Sequence, residues 1–234
     1  MSIWNDCWEL FFPRCCVICG KRLLKAEKGL CIQCLEKLPR TNFHSQKNNE
    51  MEQAFWGRFP IERASAFLYY SKGGDVRKLL YALKYYGHRQ VGEVLGRYMA
   101  SEMVDADFFN GIDCIIPVPL HPQKLRIRGY NQSELLARGV SSVTGIPVLT
   151  DGLCREQHTE TQTHKSRYGR WKNVNEMFSL NLRYSLKDKH VLLVDDVFTT
   201  GATLIACAEA LLASCKDIRI SVATLAIAQD NYPE

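Results

Sequence analysis

The sequence has no stretch approaching the roughly 18 consecutive apolar residues of a membrane-spanning helix, so no membrane partner is expected. It also lacks a basic segment followed by an apolar one at its start, where Asp6 and Glu9 occur instead, so no secretion signal is expected. Neither sign of charge dominates, since the 234 residues carry a net charge of +5. With 46% hydrophobic and 24% charged residues, the composition excludes disordered, collagen-like and coiled-coil chains.

Cysteine is the residue type in excess, with ten in the chain. Without a secretion signal we expect a cytoplasmic location, where reducing conditions keep cysteines as thiols or metal ligands. Six of the ten fall within the first 34 residues. The other four lie mostly among apolar neighbours and are interpreted as small buried hydrophobic residues: Cys114, Cys154, Cys207 and Cys215.

Two CxxC pairs stand near the N-terminus, with eleven residues between them. Two such pairs supply the four thiolates of a tetrahedral zinc site, so we predict structural zinc on Cys16, Cys19, Cys31 and Cys34. A redox role is the weaker interpretation, because thioredoxin-like motifs occur singly beside a βαβ pattern. The identity of the first ligand stays open, because Cys15 is adjacent to Cys16 and could replace it.

Beyond the cysteine-rich start, a polar stretch over residues 41–55 predicts a linker or exposed loop. The pattern then becomes that of an α/β domain. The predicted strands are 64–70, 113–118, 147–149, 191–194 and 218–227. The predicted helices are centred on 76–83, 91–98, 131–144 and 204–212, the third opening with a capping box. Strands that alternate with helices predict a parallel sheet covered on both faces.

The strongest chemical signal follows the fourth predicted strand, in Val191-Leu-Leu-Val-Asp-Asp-Val-Phe-Thr-Thr-Gly-Ala-Thr203. Ligands of parallel sheets bind at the carboxyl ends of the strands. The small-residue loop before a helix predicts a phosphate cradle of backbone N–H groups and hydroxyls, made by Thr199, Thr200, Gly201, Ala202 and Thr203. Asp195 and Asp196 suit ligand hydroxyls or a bound cation, and a ribose 5-phosphate offers both a phosphate and hydroxyls. Helix capping alone would explain one of these residues, not the whole block.

The same strand is similar to the first strand of a response-regulator receiver domain. That hypothesis needs about a hundred further residues to complete a domain of ordinary size. Only 38 residues follow Asp196, so the receiver hypothesis is excluded by length.

Residues 191–203 closely resemble the ribose-phosphate-binding fingerprint of type I phosphoribosyltransferases. With the four-cysteine unit, the chain resembles the ComF/GntX family of phosphoribosyltransferase-like proteins over nearly its whole length. The resemblance implies an α/β fold, a type I phosphoribosyltransferase-like parallel sheet flanked by helices, with a small N-terminal zinc-ribbon. It also implies three regions: a zinc-ribbon module at 1–40, a linker and hood region at 41–62, and a phosphoribosyltransferase-like domain at 63–234.

The resemblance assigns two further blocks to the site. One is the pyrophosphate loop, with Val118, Pro119, Arg126 and Arg128, for which a merely solvated basic loop is the alternative. The other, from Arg155 to Phe178, is the lid over the pyrophosphate, with Arg155, Gln162 and Arg167 at recurring polar positions. Lys84 matches a recurring family lysine, whose role cannot be derived from the sequence.

The implied substrates are phosphoribosyl pyrophosphate with Mg²⁺ and an unidentified nitrogen acceptor, with Asp195 and Asp196 as catalytic residues. The alternative is a non-catalytic protein that binds phosphoribosyl pyrophosphate or accompanies nucleic acid, because the family is associated with natural competence. Single-stranded DNA could contact the basic residues of the cysteine unit, Lys21, Arg22, Lys25 and Lys28. Residues 1–50 hold eight Lys or Arg against five Asp or Glu, however. A purely structural unit, or one that docks a competence-machinery protein, is therefore an equal alternative.

Overall fold

A computed structural model describes residues 13–85, 87–155, 178–215 and 217–228. Its helices are α1 (Ile32–Glu36), α2 (Glu50–Gln53), α3 (Asp75–Tyr85), α4 (Arg89–Val104), α5 (Pro122–Arg128), α6 (Gln132–Thr144) and α7 (Ala202–Ser214), with a 3₁₀ turn at Phe43–Ser45. Its strands are β1 (Arg63–Tyr70), β2 (Cys114–Pro117), β3 (Leu153–Arg155), β4 (Phe178–Leu180), β5 (His190–Phe198) and β6 (Arg219–Ala228). Within the described ranges, no helix is long and apolar enough to cross a membrane.

Four strands form a sheet in the order β1-β6-β5-β2, and every neighbouring pair in it is parallel. The predicted strand at 147–149 is reduced to one parallel bridge between Ile115 and Val148. Since helices precede and follow these strands along the chain, the predicted parallel α/β fold is confirmed. The order places β5 in the interior of the sheet, where it is paired on both sides.

The two faces of the sheet carry separate apolar cores. Alternate residues of β5 point to opposite sides, so that Leu192 and Val194 join one core while Val191 and Leu193 join the other. Apolar residues of α3, α4, α6 and the cysteine unit build the first core, and residues of α7, β3 and β4 contribute to the second. Both faces are therefore covered, and the polar ends of the strands are the part of the sheet left for a ligand.

Helices α4 and α6 approach each other through two glycines. A Cβ atom on Gly96 would lie 2.2 Å from the Leu136 carbonyl oxygen, and one on Gly139 would lie 2.4 Å from the Glu93 carbonyl oxygen. Any larger residue at either position would separate the helices, because backbone atoms cannot give way as flexible side chains do. This close packing fixes the position of α6, whose N-terminus faces the end of β5.

The segment predicted as a linker or exposed loop at 41–55 is packed instead. Phe43, Met51 and Phe55 are buried in the second core, and Met51 and Phe55 have no exposed surface. Asn49 is also buried; its side-chain amide donates hydrogen bonds to the carbonyl oxygens of Phe43, Gln46 and Ala64. The polar composition of this segment therefore reflects satisfied buried groups as well as solvent exposure.

Two smaller differences concern the scattered cysteines and the small strands. Cys114 and Cys207 are buried as predicted, whereas Cys154 is exposed and Cys215 is partly exposed. Cys154 lies in β3, which pairs with β4 in a two-stranded antiparallel sheet that the sequence did not predict. In β3, alternation turns Leu153 into the core and Cys154 outward, and the cysteine's apolar neighbours did not show this.

Candidate functional site

The acidic pair lies at the carboxyl end of β5. Asp195 is still paired in the sheet, opposite Thr224 of β6, and Asp196 follows it with only 6% of its surface exposed. A carboxylate this deeply buried needs a compensating partner, because desolvation of a charge is costly. The structure supplies a different partner for each of the two carboxylates.

Lys84 is the partner of Asp196. Its Nζ lies 2.9 Å from Asp196 Oδ2, and the two side chains are 27% and 9% exposed. Lys84 is in the last turn of α3, and its neighbours fix that turn: Tyr130 donates its hydroxyl to the Leu83 carbonyl oxygen at 2.6 Å. On the other side of Lys84, the Arg128 guanidinium lies 5.6 Å from the centroid of the Tyr85 ring. The role that the sequence left open for Lys84 is therefore that of a counter-ion to the acidic pair.

Replacement of Lys84 by methionine is expected to lower the free energy of unfolding by about 1–3 kcal/mol, because it leaves Asp196 buried without its cation. This range lies below that for a fully buried pair, since Lys84 keeps contact with solvent. Lys78→Met is the matched control: its Nζ is also 2.9 Å from a carboxylate, that of Asp75, but both side chains are about half exposed. The control is expected to cost less than about 1 kcal/mol. Equal losses in urea unfolding would contradict this role of Lys84.

Ser133 is the partner of Asp195. Its hydroxyl donates to Asp195 Oδ1 at 2.9 Å, and the same oxygen accepts the backbone N–H of Asp196 at 2.8 Å. The pKa of Asp195 is raised to about 7, mainly because its carboxyl group is buried and secondly because of the nearby charge of Asp196. Part of the residue is nevertheless exposed. At neutral pH Asp195 is therefore close to the midpoint of its titration, and binding of a cation would favour its ionised form.

This raised pKa predicts a pH dependence of stability. Because the folded protein binds the Asp195 proton more tightly than the unfolded chain, ionisation of Asp195 disfavours the folded state. The free energy of unfolding of the wild type, relative to Asp195→Asn, is expected to fall as the pH rises from about 4 to about 7, and then to level off. Urea unfolding of both proteins across that range measures the difference. A difference that does not change with pH would show that Asp195 titrates normally.

The predicted phosphate cradle connects β5 to α7. Gly201 has φ = 73° and stands at the N-cap position of α7. A Cβ atom there would lie 2.8 Å from Phe198 Cε2, so both the backbone angle and the close approach require glycine. The other residues of the predicted cradle are exposed: Thr199 and Thr200 in the loop, and Ala202 and Thr203 in the first turn of α7. The loop therefore presents hydroxyls beside the N-terminus of a 13-residue helix, which is a favourable environment for an anion.

The end of β2 lies beside the end of β5. The Val118 backbone N–H donates to the Val194 carbonyl oxygen at 2.9 Å, and the Val118 carbonyl oxygen accepts from the side chain of Asn131, also at 2.9 Å. Asn131 also accepts the Ser133 N–H and so caps α6, as the sequence predicted. Pro119 follows Val118 and is partly buried. The hydrogen bonds thus join the Val118 turn, the start of α6 and the acidic pair.

Arg126 and Arg128 were predicted on a loop, but both lie in the last turn of helix α5. Pro122 occupies the first turn of this helix and Gly129 ends it with φ = 76°, so standard start and stop signals were present in the sequence. Arg126 is exposed, while Arg128 donates to the Gln132 side chain at the start of α6. Arg128 is therefore the basic residue of this block that the structure brings next to the site.

The predicted lid residues are only partly covered by the structure. Arg155 is the last residue of β3, and its guanidinium lies 5.2 Å from the centroid of the Phe178 ring in β4. Gln162 and Arg167 lie outside the described residues and stay predictions. Three residues to which the sequence alone assigns no role contribute to the site: Lys84, Tyr130 and Ser133.

The four predicted zinc ligands come together. The Sγ atoms of Cys16, Cys19, Cys31 and Cys34 all lie within 4.8 Å of one another. The Sγ atoms of Cys19 and Cys31 are 3.8 Å apart, which matches the sulfur–sulfur distance of about 3.8 Å that tetrahedral Zn–S bonds of about 2.3 Å require. Cys15 is not part of this cluster; it is exposed, and its Sγ points to the Pro13 carbonyl oxygen at 3.4 Å. The geometry thus selects Cys16 over Cys15 and fits a zinc ion.

Comparison with known proteins finds a phosphoribosyltransferase domain in part of the chain and relatives over most of its length. A family model described as the phosphoribosyl transferase domain matches residues 150–233. A relative from Shigella flexneri named DNA utilization protein YhgH is 29% identical, over 88% of this chain and 90% of the relative. Competence protein F from Haemophilus influenzae is 28% identical, over 83% of this chain and 89% of the relative.

A solved structure of glutamine phosphoribosylpyrophosphate amidotransferase from B. subtilis, complexed with ADP and GMP, aligns with a TM-score of 0.41 and 22% identity. The alignment covers 58% of this chain and 26% of the longer enzyme.

Proposed function

We infer that this chain is a ComF-type phosphoribosyltransferase-like protein, and on that premise we propose that it binds phosphoribosyl pyrophosphate at the carboxyl end of β5. The observation that carries the proposal is that the acidic pair lies in β5, separated by two residues from the Thr199–Thr203 segment, which is exposed except at Gly201. In this proposal the 5-phosphate lies on the loop, and the ribose 2- and 3-hydroxyls donate to Asp195 and Asp196. Both carboxylates can accept these hydrogen bonds, which are stronger than those between neutral groups.

The acidic pair is also the place for the cation that accompanies this ligand. Carboxylate oxygens are the donors that Mg²⁺ prefers, so the donor atoms of Asp195 and Asp196 fit this cation. When bound, Mg²⁺ supplies charge neutralisation for the pyrophosphate. Lys84 holds one of the two carboxylates in the free protein, and we propose that it shares Asp196 with the ligand.

We further propose transfer of the phosphoribosyl group to a nitrogen acceptor. The bond between C1 of the ribose and the pyrophosphate oxygen breaks, and its electron pair leaves with pyrophosphate, while a nitrogen lone pair forms the new bond to C1. Positive charge grows on C1 and the ring oxygen, and the carboxylates of Asp195 and Asp196 stabilise it electrostatically. Arg128, Arg126 and the turn at Val118 and Pro119 lie on the side proposed for the pyrophosphate. Arg155 and the predicted residues Gln162 and Arg167 would complete that side.

Release of pyrophosphate tests the catalytic part of this proposal. The wild type is incubated with phosphoribosyl pyrophosphate, Mg²⁺ and a panel of purines, pyrimidines and amines. We expect release with at least one acceptor and none with Asp195→Asn/Asp196→Asn. If the wild type binds the ligand but releases nothing with any acceptor, the site serves binding alone, which is the non-catalytic alternative.

A second candidate function concerns nucleic acid. The names of the relatives refer to DNA utilization and competence, and the basic residues of the cysteine unit are all exposed: Lys21, Arg22, Lys25 and Lys28. We propose accordingly that the protein contacts nucleic acid. Salt-dependent retention of single-stranded DNA by the wild type would support this function, because phosphate contacts weaken as salt rises. Absence of retention at low salt would contradict it.

A further inference from the structure

Four consecutive residues at the start of α6 form a buried polar run. Tyr130, Asn131, Gln132 and Ser133 are 8%, 8%, 6% and 1% exposed. Polar side chains are rarely buried without a hydrogen-bond partner, because their desolvation is costly. Each of the four has such a partner, and the four partners belong to four separate segments of the chain. The start of α6 therefore joins parts of the protein that are distant in sequence.

Two of the four side chains reach the acidic pair. The Ser133 hydroxyl donates to Asp195 Oδ1 at 2.9 Å. The Tyr130 hydroxyl donates to the Leu83 carbonyl oxygen at 2.6 Å, directly before the lysine that pairs with Asp196. Ser133 thus holds one carboxylate itself, while Tyr130 holds the backbone beside the counter-ion of the other.

The remaining two side chains reach the side proposed for the pyrophosphate. The Asn131 amide donates to the Val118 carbonyl oxygen at 2.9 Å. The side-chain oxygen of Gln132 accepts from the guanidinium of Arg128, which is itself partly buried. Asn131 thus fixes the turn that follows β2, and Gln132 fixes the cation that the structure brings next to the site.

The local backbone explains how four neighbours reach four directions. Asn131 is the N-cap residue and is extended, with φ = −96° and ψ = 119°. Gln132 and Ser133 lie in the first turn of α6, where successive side chains diverge by about 100°. The next turn is anchored, because Leu135 and Leu136 are buried in the first core. The four side chains therefore start from a helix that is held in place by packing.

We propose that residues 130–133 are positioning residues that orient the two ends of the ligand separately. The inference rests on the proposed function, because it takes phosphoribosyl pyrophosphate to bind at the end of β5. Ser133 orients the ribose end, since it holds the Asp195 carboxylate that accepts a ribose hydroxyl. Gln132 orients the pyrophosphate end, since it holds the Arg128 guanidinium. Each residue acts through its partner and not by contact with the ligand.

Titration calorimetry with phosphoribosyl pyrophosphate and Mg²⁺ tests this inference. Ser133→Ala and Gln132→Met are each expected to weaken binding about tenfold, a usual effect of removing a group that orients a ligating side chain. Ser133→Thr keeps the hydroxyl and is expected to keep the affinity. Ser142→Ala is the matched control, because this hydroxyl also lies on α6 but donates to the Gly139 carbonyl oxygen at 2.7 Å. Its affinity is expected to equal that of the wild type.

Double variants show through which partner each residue acts. When Ser133→Ala is added to Asp195→Asn, no further loss is expected, because the carboxylate that Ser133 orients is already gone. When it is added to Arg128→Gln, the full tenfold loss is expected. Gln132→Met is expected to behave in the opposite way in the same two backgrounds. Residues that act on one another depart from additivity, whereas independent residues do not.

Three outcomes would overturn the inference and leave the proposed function standing. The first is that Ser133→Ala and Gln132→Met bind as the wild type does. The second is an equal loss in Ser133→Ala and Ser133→Thr. The third is that each loss is the same in both backgrounds, which a general effect on folding would produce. If the wild type does not bind phosphoribosyl pyrophosphate, the proposed function fails and this inference fails with it.

Discussion

Replacement of both Asp195 and Asp196 by asparagine is expected to weaken the binding of phosphoribosyl pyrophosphate by at least about a hundredfold. Each carboxylate is proposed to accept a ribose hydroxyl, and a hydrogen bond to a charged group contributes about 1.5–3 kcal/mol, so the loss of two such bonds gives this factor. Titration calorimetry with Mg²⁺ measures the affinity. Asparagine keeps the size of the side chain, so a loss reports on charge rather than on packing.

The control for this variant is Asp75→Asn. Asp75 also pairs with a lysine at 2.9 Å, but it lies in the first turn of α3 and is about half exposed. Its replacement is expected to leave the affinity unchanged. Equal affinity of the double variant and the wild type would refute the assignment of the ribose to the acidic pair, since the loop alone would then account for binding. Thermal unfolding of the free variants confirms that each of them is folded.

Replacement of Cys16 by serine is expected to remove the metal, whereas replacement of the neighbouring Cys15 is not. Purified wild type is expected to contain one zinc ion per chain, because four clustered thiolates form a closed tetrahedral site. A serine hydroxyl is a poor ligand for zinc, and loss of the ion removes binding energy that folds the unit. The free energy of unfolding should therefore fall by at least about 3 kcal/mol in Cys16→Ser, given the large contribution of structural zinc.

The comparison with Cys15→Ser is matched, since the two residues are adjacent and carry the same thiol. Cys15 is exposed and outside the cluster, so its variant should keep both zinc and stability. Elemental analysis by mass spectrometry gives the metal content, and thermal unfolding gives the stability. Loss of zinc from Cys15→Ser with retention in Cys16→Ser would reverse the assignment. A chelator should lower the stability of the wild type toward that of Cys16→Ser.

The elements that the sequence predicts well are those whose signals are local. The Val191–Val194 run predicts β5 because a strand buried on both faces must be apolar throughout. Asn131 predicts the start of α6 because its side chain caps the helix within three residues of itself. The two CxxC pairs predict their own cluster because each pair is a local chelate. In each case the residues that determine the structure are close in sequence.

The features of the fold and the site that the sequence does not predict depend on contacts between distant segments. Lys84 and Asp196 are more than a hundred residues apart, and no local pattern indicates that α3 ends beside β5. The short strands β3 and β4 are stabilised by pairing across residues 156–177, so neither has a signal of its own. The packing of segment 41–55 was not predicted because its composition is polar, although it contains the apolar residues Phe43, Met51 and Phe55. In each of these places the structure is determined by tertiary packing, which the local composition does not reveal.

The position of the ligand in a crystal structure tests most directly whether the end of β5 holds a phosphoribosyl group. Crystals of the wild type with phosphoribosyl pyrophosphate and Mg²⁺ are expected to show the 5-phosphate on the Thr199–Thr203 loop. The ribose hydroxyls are expected within hydrogen-bond distance of Asp195 and Asp196. A ligand whose phosphate lies elsewhere, with the loop empty and Lys84 still paired with Asp196, would contradict this placement of the phosphoribosyl group.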